Sequence, residues 1–368
     1  MISNTCCIFN IAPHYNLPIY KAMDEELHCD FYLGDKLPYD IKLMNYSELK
    51  GFRGTLKNTF IVSHFYWQFG ALKTFFKPYR NYIFTGEPFC LSTWVILFFS
   101  IFTHKKTFLW THGWYGDEGL VKRLIKKMFF GLADGILLYG NYAKDLMIKE
   151  GFDQHKLHVI YNSLDYNKQI QIRNTLSLTD IYSSKFKNRN PTLLYIGRIQ
   201  KIKKIDYIIE VLNSLKQQNI FYNLILVGSE VESTNIQALV SAYQLEEQVW
   251  FYGECYDELV LSNLIYNADL TVSPGNVGLT AMHSMVYGTP VITHNNFSNQ
   301  MPEFEVIEPG LTGEYFVEDS ITDLEFKIKN WIQKHQDNRE IVRKNCFEKI
   351  AKDYNPDAQV TLLKNLLS

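Results

Sequence analysis

Short runs of hydrophobic and β-branched residues alternate with longer amphipathic segments along most of the chain. The short runs are typical of strands buried on both faces, and amphipathic segments such as 205–217 and 235–243 predict helices. Strands that alternate with helices favour parallel sheets covered by helices on both faces, which is an α/β fold. The predicted strands cover 6–11, 31–33, 60–64, 82–85, 107–111, 135–139 and 157–161 in the first half, and 193–197, 224–228, 249–252, 270–273, 290–293 and 314–317 in the second.

The chain is expected to form two domains, because 368 residues exceed the usual size of one hydrophobic core. The stretch 167–191 is polar and rich in Asn, Ser and Lys, so it contributes least to a core. We predict a doubly wound domain over 1–170, a linker region over 171–191, a second doubly wound domain over 192–353 and a C-terminal helix over 354–368.

Composition excludes several classes of protein. A net charge of −2 gives no general attraction to nucleic acid. The six cysteines are scattered without a CxxC pair, which indicates free thiols in a reducing compartment. The N-terminus lacks the basic region of a signal peptide, and the longest apolar run, 91–102, is shorter than the roughly 20 residues that span a membrane. We therefore expect a cytoplasmic protein.

The segment 273–294 contains a glycine-rich loop between a predicted strand and a predicted helix. Gly275 and Gly278 lie in the loop, and the helix predicted over 279–287 ends at Gly288. Glycines allow a ligand to approach the free N–H groups at the start of the helix, a position that suits phosphate. A plain strand–helix–strand crossover explains the local pattern equally well.

A basic loop follows the first predicted strand of the second domain and carries Arg198 and Lys203. The carboxyl end of a parallel strand is where open α/β sheets bind ligands. A guanidinium beside an ammonium group matches a diphosphate, whereas the alternative is a solvated loop. Gly228 ends the next strand and could face the same ligand.

In the first domain, His112 ends a predicted strand and Pro13, His14 and Tyr15 follow another. These positions could line one cleft. The alternative for His112 is a hydrogen-bonded structural histidine. The alternative for Pro13, His14 and Tyr15 is an ordinary loop between a strand and a helix. The sequence contains no Asp-x-Asp pair and no cluster with metal-ligand spacing, which favours chemistry without a metal.

A predicted helix over 120–130 carries Lys122, Arg123, Lys126 and Lys127 at helical spacing. This spacing puts the four charges on one face with apolar residues opposite. The alternatives are a solvated surface and a contact with anionic lipid at the inner face of the cell membrane, worth roughly 1 kcal/mol per basic residue.

Taken together, these motifs resemble the family 4 retaining glycosyltransferases of the GT-B fold. The resemblance covers most of the chain and is more specific in the second half. There it rests on Gly197-Arg198 with Lys203, Leu226-Val227-Gly228, Val249-Trp250-Phe251-Tyr252-Gly253, Asn267-Ala268-Asp269-Leu270, Gly278, Gly288-Thr289-Pro290-Val291-Ile292, Pro302-Glu303 and Leu311-Thr312-Gly313. In the first half it rests on Thr111-His112-Gly113 and Tyr161-Asn162-Ser163-Leu164-Asp165.

The resemblance implies a fold and a set of site residues. The fold would be two Rossmann-like, doubly wound domains facing a cleft, with the C-terminal helix crossing back to the first domain. The implied catalytic residues are His112, Arg198 and Lys203. The implied donor-binding residues are Gly197, Gly228, Glu254, Asn276, Val277, Gly278, Leu279, Thr280 and His283. Pro13, His14 and Tyr15 would shape the acceptor site, and the family usually needs no metal or other cofactor.

One departure from the family pattern concerns two glutamates, which are replaced here by Gly275 and His283. In the family the first usually contacts the donor sugar and the second the ribose. A neutral His283 could accept a hydrogen bond from a ribose hydroxyl. Asn276 or backbone groups would have to replace the first contact.

The expected function is metal-independent, retaining transfer of a sugar from a nucleotide-diphosphate sugar to a glycan or a lipid-linked glycan. Surface polysaccharide synthesis is the expected setting, with no nucleic-acid partner. Two alternatives stay open: a sugar-nucleotide epimerase of the same fold, and a carbohydrate-binding relative without catalysis.

Overall fold

The predicted strands assemble into two separate sheets in the computed structural model, which describes residues 3–38 and 41–368. One unit consists of Met1–Asp165 with Asp353–Ser368, and the other of Tyr166–Lys352. Each unit has a mainly or wholly parallel sheet covered by helices. The predicted α/β class with two Rossmann-like units is therefore confirmed.

In the first unit, the strands are β1 (Thr5–Phe9), β2 (Asp30–Gly34), β3 (Phe52–Val62), β4 (Phe65–Phe69), β5 (Asn81–Thr85), β6 (Lys106–Thr111), β7 (Gly135–Leu138) and β8 (Leu157–Val159). The helices are α1 (Leu17–Leu27), α2 (Ala71–Phe75), α3 (Leu91–Ser100), α4 (Leu120–Gly131), α5 (Asn141–Lys149) and, from the end of the chain, α14 (Pro356–Leu367). The described strands lie in the order β4-β3-β2-β1-β5-β6-β7-β8, and only the β3–β4 pair is antiparallel.

Strand β1 shows why its sequence reads as a continuous apolar run. Cys6 and Ile8 pack into a hydrophobic cluster with side chains of α3, α4 and α5. Cys7 and Phe9 point to the opposite face and pack into a cluster with side chains of α1 and α14. Because both faces are covered, every residue of the strand is buried.

In the second unit, the strands are β9 (Thr192–Ile196), β10 (Asn223–Val227), β11 (Val249–Gly253), β12 (Leu270–Ser273), β13 (Val291–His294) and β14 (Gly313–Phe316). The helices are α6 (Tyr166–Arg173), α7 (Ile181–Phe186), α8 (Ile205–Gln217), α9 (Ile236–Ala242), α10 (Glu258–Asn267), α11 (Thr280–Val286), α12 (Ile321–His335) and α13 (Arg339–Asp353). The described strands lie in the order β11-β10-β9-β12-β13-β14, all parallel.

The predicted strand over 60–64 is wrong in its bounds, because the strand found there is β3, Phe52–Val62. The structure has a hairpin there, with β3 antiparallel to β4 and a turn at Ser63 in the left-handed region, at φ 51°. Strand β3 lies near the edge of the sheet, and only two of its residues, Leu56 and the polar Asn58, are buried. Because the sequence analysis looked for continuous apolar runs, it did not predict the part of β3 before residue 60.

The polar segment 171–191, expected to be a linker, contains α7 and the end of α6, and both helices belong to the second unit. Tyr182 and Phe186 anchor α7 because both side chains are buried, and the Tyr182 hydroxyl donates to the Leu264 carbonyl at 2.7 Å. At the C-terminus, Val360 and Leu363 of α14 join the cluster beside α1 in the first unit.

Each sheet has one point at which the direction of strand addition reverses. In the second sheet the chain goes from β9 outwards to β10 and β11, then returns to β12 and continues through β13 to β14. The corresponding reversal in the first sheet lies between β1 and β5. Open α/β sheets bind ligands at the carboxyl ends of the strands at such switch points. The two candidate sites are therefore the loops after β9 and β12 and the loops after β1 and β5.

Candidate functional site

Two loops contact each other at the switch point of the second sheet. The loop after β9 carries Gly197, Arg198 and Lys203, and the loop after β12 carries Gly275 and Asn276. The Gly275 N–H donates to the Lys203 carbonyl at 3.1 Å. The Lys203 ammonium donates to the Asn276 carbonyl at 2.7 Å and to Asn276 Oδ1 at 2.5 Å. The structure thus brings together two segments that the sequence identified separately.

Lys203 has an unusual electrostatic environment. Burial, and then the positive charge of Arg198, lower the pKa of Lys203 from 10.5 to about 8. The side chain of Arg198 is exposed. Two cations that repel each other in this way are stabilised by an anion bound between them, and a diphosphate has the matching charge.

Gly275 is packed so tightly that no side chain fits at this position. A Cβ atom there would lie 2.2 Å from the Ile202 carbonyl oxygen and 2.7 Å from Lys203 Cα. The contact between the two loops is therefore incompatible with a glutamate at this position, which is the usual residue in the family that the sequence resembles.

The rest of the glycine loop leads into α11, which begins at Thr280, close to the predicted start. Gly278 has φ 57°, a conformation that other residues adopt only with strain. The Val277 N–H already donates to Gln300 Oε1 at 2.9 Å, so it is engaged within the protein. The Thr280 hydroxyl donates to the Ile196 carbonyl at 3.2 Å and ties the helix to β9. Leu279, directly before the helix, is half-buried.

Two further glycines shape the ends of the neighbouring strands. A Cβ on Gly228 would lie 1.9 Å from the Gly197 carbonyl oxygen, so glycine lets the loops after β9 and β10 approach each other. Glu254 directly follows β11, at the edge of the sheet, and is exposed. The structure thus places Glu254 two strands away from β9.

His283 contacts a carboxylate that the sequence analysis missed. Three donors converge on Oε1 of Glu258, the first residue of α10: His283 Nε2 at 3.0 Å, the Tyr287 hydroxyl at 2.6 Å and Gln169 Nε2 at 3.2 Å. Burial opposes ionisation of Glu258, but these hydrogen bonds outweigh it and lower its pKa to about 2. Because an ionised carboxylate only accepts, His283 Nε2 carries the proton in this contact, which leaves Nδ1 of a neutral ring as the acceptor.

A cavity of about 210 Å³ lies at the switch point of the first sheet. Pro13 and Tyr15 from the loop after β1 line it, together with Glu87 from the loop after β5 and His112 from the loop after β6. Pro13, Tyr15 and His112, which the sequence analysis expected in one cleft, therefore share one cavity. His14 is not among its lining residues, because the His14 N–H and ring bind the Lys42 carbonyl at 3.0 and 3.2 Å.

His112 is uncharged at neutral pH. Burial, and then the charge of Lys126, lower the pKa of His112 to about 4. Its ring lies against Tyr139, with 4.8 Å between ring centroids. Within the described part of the chain, the buried His112 Nδ1 has no hydrogen-bond partner. A neutral imidazole in this position can bind a ligand without adding charge to the cavity.

Helix α4 corrects the prediction that its four basic residues share one face, because one of them, Lys126, is buried. Lys126 is only 7% exposed, and its ammonium donates to Glu118 Oε1 at 2.6 Å and to the Gly113 carbonyl at 2.7 Å. Lys126 therefore holds the loop that follows His112, because a buried cation needs partners of this kind. Arg123 and Lys127 both bind Glu150, at 2.6 and 3.0 Å.

Besides Lys122 and Lys127, α4 exposes several apolar side chains. Four of its side chains are largely in contact with solvent: Leu120 at 82%, Val121 at 74%, Leu124 at 62% and Met128 at 57%. We call these four residues the apolar face of α4. Among residues 3–38 and 41–368, no helix is both long enough and apolar enough to cross a membrane.

Glu87 was the second carboxylate missed in the sequence. Asn10 Nδ2 donates to Glu87 Oε2 at 3.0 Å, and the Tyr66 hydroxyl lies 3.5 Å from the same oxygen. Burial raises the pKa of Glu87, although both hydrogen bonds oppose that effect. Its place directly after a predicted strand is the signal that identified His112, and the same signal could have identified Glu87. In the described ranges, no three His, Cys, Asp or Glu residues form a metal-binding group.

This chain belongs to the family described as glycosyl transferases group 1, whose model matches residues 179–363, just over half of the chain. It is 25% identical to an uncharacterized 41.2 kDa protein in the cps region of Klebsiella pneumoniae, over 67% of this chain and 64% of that protein. It is 30% identical to the O-antigen biosynthesis glycosyltransferase WclY of Escherichia coli, over 49% of this chain and 50% of WclY. The chain thus spans between half and two thirds of the length of these two relatives.

Among solved structures, the chain is similar to Anabaena Alr3699/HepE in complex with UDP. The TM-score is 0.71 at 13% identity, over 99% of both chains. At this identity the likeness shows the fold alone. It confirms the GT-B fold that the sequence motifs implied.

Proposed function

We propose that this chain is a metal-independent, retaining glycosyltransferase that uses a nucleotide-diphosphate sugar and needs no further cofactor. The observation that carries the proposal is Lys203, bound to the glycine loop at the switch point of the second sheet, with the exposed Arg198 in the same loop after β9. Family membership supports it, and so does the likeness to HepE, whose structure contains UDP. The relatives from a cps region and from O-antigen biosynthesis support a role in surface polysaccharide synthesis, with a glycan or lipid-linked glycan as acceptor.

In the proposed mechanism, the bond between the anomeric carbon and the diphosphate breaks as the acceptor oxygen forms a new bond to the same carbon. The diphosphate leaves with the bonding electron pair, and Arg198 and Lys203 stabilise its growing negative charge. The proton of the acceptor hydroxyl goes to the departing phosphate oxygen, on the same face of the sugar. The neutral His112 would contact the donor sugar.

Donor binding would use the second unit and acceptor binding the first. Nδ1 of His283, the ring nitrogen that does not face Glu258, would bind a ribose hydroxyl, and Asn276, held by Lys203, or backbone groups beside Gly275 would replace the missing sugar contact. Gly197, Gly228 and Gly278 would allow close approach of the diphosphate, with Val277, Leu279 and Thr280 around it. Glu254 is the outermost member of the proposed set. Pro13 and Tyr15 would contact the acceptor through the cavity, and His14 would act from outside it.

We also propose that the protein acts in the cytoplasm and contacts the inner face of the cell membrane through the apolar face of α4. Exposed apolar side chains lose their contact with water when they enter the acyl boundary of a membrane. Lys122 is exposed next to this face and suits anionic headgroups. Neighbouring α3 contacts α4 through Trp94 and Phe129, with 5.0 Å between their ring centroids, and it exposes Phe98, Phe99 and, directly after its end, Phe102.

The decisive experiment combines a binding screen with a transfer assay. Thermal shift with UDP-, GDP-, ADP- and dTDP-sugars should reveal the donor, because a ligand at 100 times its Kd adds about 2.7 kcal/mol of stability. The selected donor should then give a glycoside only when an acceptor is present. Conversion of the nucleotide sugar without an acceptor would indicate an epimerase. The absence of any nucleotide-sugar binding would indicate a non-catalytic relative.

A further inference from the structure

The cavity in the first unit contains a carboxyl group with one oxygen free for a ligand. Both internal hydrogen bonds of Glu87, from Asn10 and Tyr66, fall on Oε2. Within the described residues, Oε1 accepts no hydrogen bond. Asn10 is itself fixed, since its Oδ1 accepts from the Ile11 N–H at 2.8 Å and from the Thr85 hydroxyl at 3.2 Å. Glu87 is therefore held in position by a rigid neighbour while half of its carboxyl group stays available.

Two residues that line the same cavity, Trp110 and His112, each have a buried polar atom without a partner within the described ranges. Trp110 is only 7% exposed, and its Nε1–H donates to no acceptor among residues 3–38 and 41–368. The buried His112 Nδ1 likewise has no hydrogen-bond partner in those ranges. Leaving such groups unpaired in a buried site is unfavourable, because each has lost its hydrogen bond to water without a replacement. A hydroxyl group can accept from an indole N–H and donate to a neutral imidazole nitrogen, so both side chains are of a kind that suits a sugar ligand.

The charge of the lining selects the kind of ligand. None of the described lining residues is Lys or Arg, and His112 is neutral at pH 7. A phosphate or carboxylate bound here would meet Glu87 without a compensating cation, which is unfavourable in a partly buried site. Aromatic side chains, among them Tyr20 and Tyr139, supply flat apolar walls.

We propose that this cavity binds the reacting sugar of an uncharged saccharide acceptor, and that Glu87 Oε1 accepts a hydrogen bond from one of its hydroxyl groups. Glu87 thereby discriminates against acceptors that carry a phosphate on that sugar. The inference rests on the proposed glycosyltransferase function. To that function it adds the charge class of the acceptor and the residue that selects it.

The test uses the full chain, the donor selected by thermal shift, and octyl hexosides paired with the same octyl hexosides bearing a 6-phosphate. The wild type should prefer the uncharged member of each pair. In Glu87→Gln the amide oxygen takes the place of Oε2, which faces the donors Asn10 and Tyr66, so an NH2 group replaces the acceptor Oε1. This change should lower kcat/KM for the uncharged acceptor by about ten- to a hundredfold. The variant should also show a smaller preference for the uncharged acceptor over the phosphorylated acceptor. Its donor Kd, measured by calorimetry, should stay unchanged.

Two further variants separate ligand binding from folding. Trp110→Phe keeps the aromatic packing but removes the indole N–H, so it should raise the acceptor KM without changing the donor Kd. Glu25→Gln removes a carboxylate from the exposed side of α1 and should leave every parameter as in the wild type. Thermal melting of each variant measures whether the first unit is intact.

Several outcomes would overturn the inference. They are an unchanged acceptor preference in Glu87→Gln, an equal loss for both members of each acceptor pair, and a wild-type preference for the phosphorylated sugar. Failure of the proposed function itself has a different signature: the wild type would bind no nucleotide sugar, or would convert it without transfer to any acceptor. That result would overturn both proposals.

Discussion

Among the single residues of the site, Lys203 should make donor binding depend on pH. With a pKa of about 8, it is mostly protonated at pH 7 and loses its charge as the pH rises. A bound diphosphate favours the protonated form. We therefore expect the affinity for the nucleotide sugar to be highest below pH 8 and to fall by up to about tenfold per pH unit above it. Calorimetric titrations between about pH 7 and 9 measure this dependence.

Variants at the same site provide the control. Lys203→Ala should flatten the pH dependence, and Arg198→Ala should retain a dependence shifted to higher pH, because the repulsion on Lys203 is gone. Each change should lower turnover by roughly 10- to 100-fold, since each removes a charge-assisted contact to the leaving group.

The pH dependence of protein stability has the opposite sign to the pH dependence of donor affinity. The folded pKa lies below 10.5, so the free energy of unfolding rises between about pH 8 and 10.5, and unfolding cannot explain a loss of affinity there.

The contact between His283 and Glu258 should stabilise the second unit at neutral pH. The folded pKa of Glu258 is about 2, below its ordinary value of 4.5, so its contribution is complete above pH 4.5 and is lost as the pH falls towards 2. His283→Ala removes one of the three donors and should lower the free energy of unfolding by about 1–2 kcal/mol near pH 7. The difference in the free energy of unfolding between His283→Ala and the wild type should become smaller at acidic pH. Thermal melts from pH 7 down to about pH 3 check this expectation.

The comparison variant is His283→Gln, which keeps a donor of similar length and should recover part of the lost stability. A constant difference between His283→Ala and the wild type at every pH would contradict the role given to Glu258. His283→Glu would place a second carboxylate beside Glu258, so it should weaken rather than improve donor binding.

Arg198 and Lys203 could be predicted from sequence, because a basic pair directly after a strand is a local pattern. Glu87 has the same position after a predicted strand but was missed because it is a single carboxylate, and Glu258, at the start of α10, has no local pattern at all. Glu258 is significant only through its contacts with His283, Tyr287 and Gln169, which come from two other helices. The packing that excludes a side chain from Gly275 likewise depends on another loop.

Among the helices, α4 should bind membranes through its apolar residues more than through its charges. Replacing Leu120, Val121 and Leu124 together by Ser should lower binding to vesicles of phosphatidylcholine with phosphatidylglycerol by at least about tenfold, because each buried methylene contributes about 0.8 kcal/mol. Flotation of the protein with the vesicles measures the bound fraction. The wild type should also bind less at high salt, since Lys122 and Lys127 contribute by charge.

Leu178→Ser is the matched control, because Leu178 is 60% exposed in the other unit and should not affect flotation. Lys126 is left unchanged, since its replacement would break the buried contact with Glu118 and disturb the loop after His112. Equal flotation of the triple variant and the wild type would contradict the membrane contact. A triple variant that differs only in self-association would indicate that a second copy of the chain covers this face.

The elements most accurately predicted are those with a strong period. The prediction over 205–217 matches α8 in full, because Ile205, Ile208, Ile209, Leu212 and Leu215 form one continuous buried stripe. The orientation of α4 was harder to predict, since the spacing of its charges does not show that Lys126 has a buried partner eight positions earlier. Helical spacing fixes which residues share a face, but the neighbouring loop decides which face is buried.

At the level of the whole chain, both units repeat one arrangement: a parallel sheet with a switch point and loops rich in polar residues at the carboxyl ends of the strands. The alternation of strands and helices was enough to predict this architecture, because buried parallel strands require covering helices. The strand order, and therefore which loops meet, comes only from the structure. The loops that meet carry Arg198, Lys203 and Asn276 in one unit, and Asn10, Tyr15 and Glu87 in the other.

The proposed mechanism predicts the stereochemistry and the metal requirement of the reaction. Because the departing phosphate oxygen takes the acceptor proton, the acceptor must approach on the face that the phosphate leaves, and the anomeric configuration is retained. Because Arg198 and Lys203 carry the charge that a metal would otherwise supply, chelation with EDTA should leave turnover unchanged. Proton NMR of the product shows the configuration through the anomeric coupling constant, with and without EDTA. An inverted product would contradict the retaining mechanism. A loss of turnover in EDTA that added Mg²⁺ restores would contradict the assignment of charge stabilisation to these two side chains.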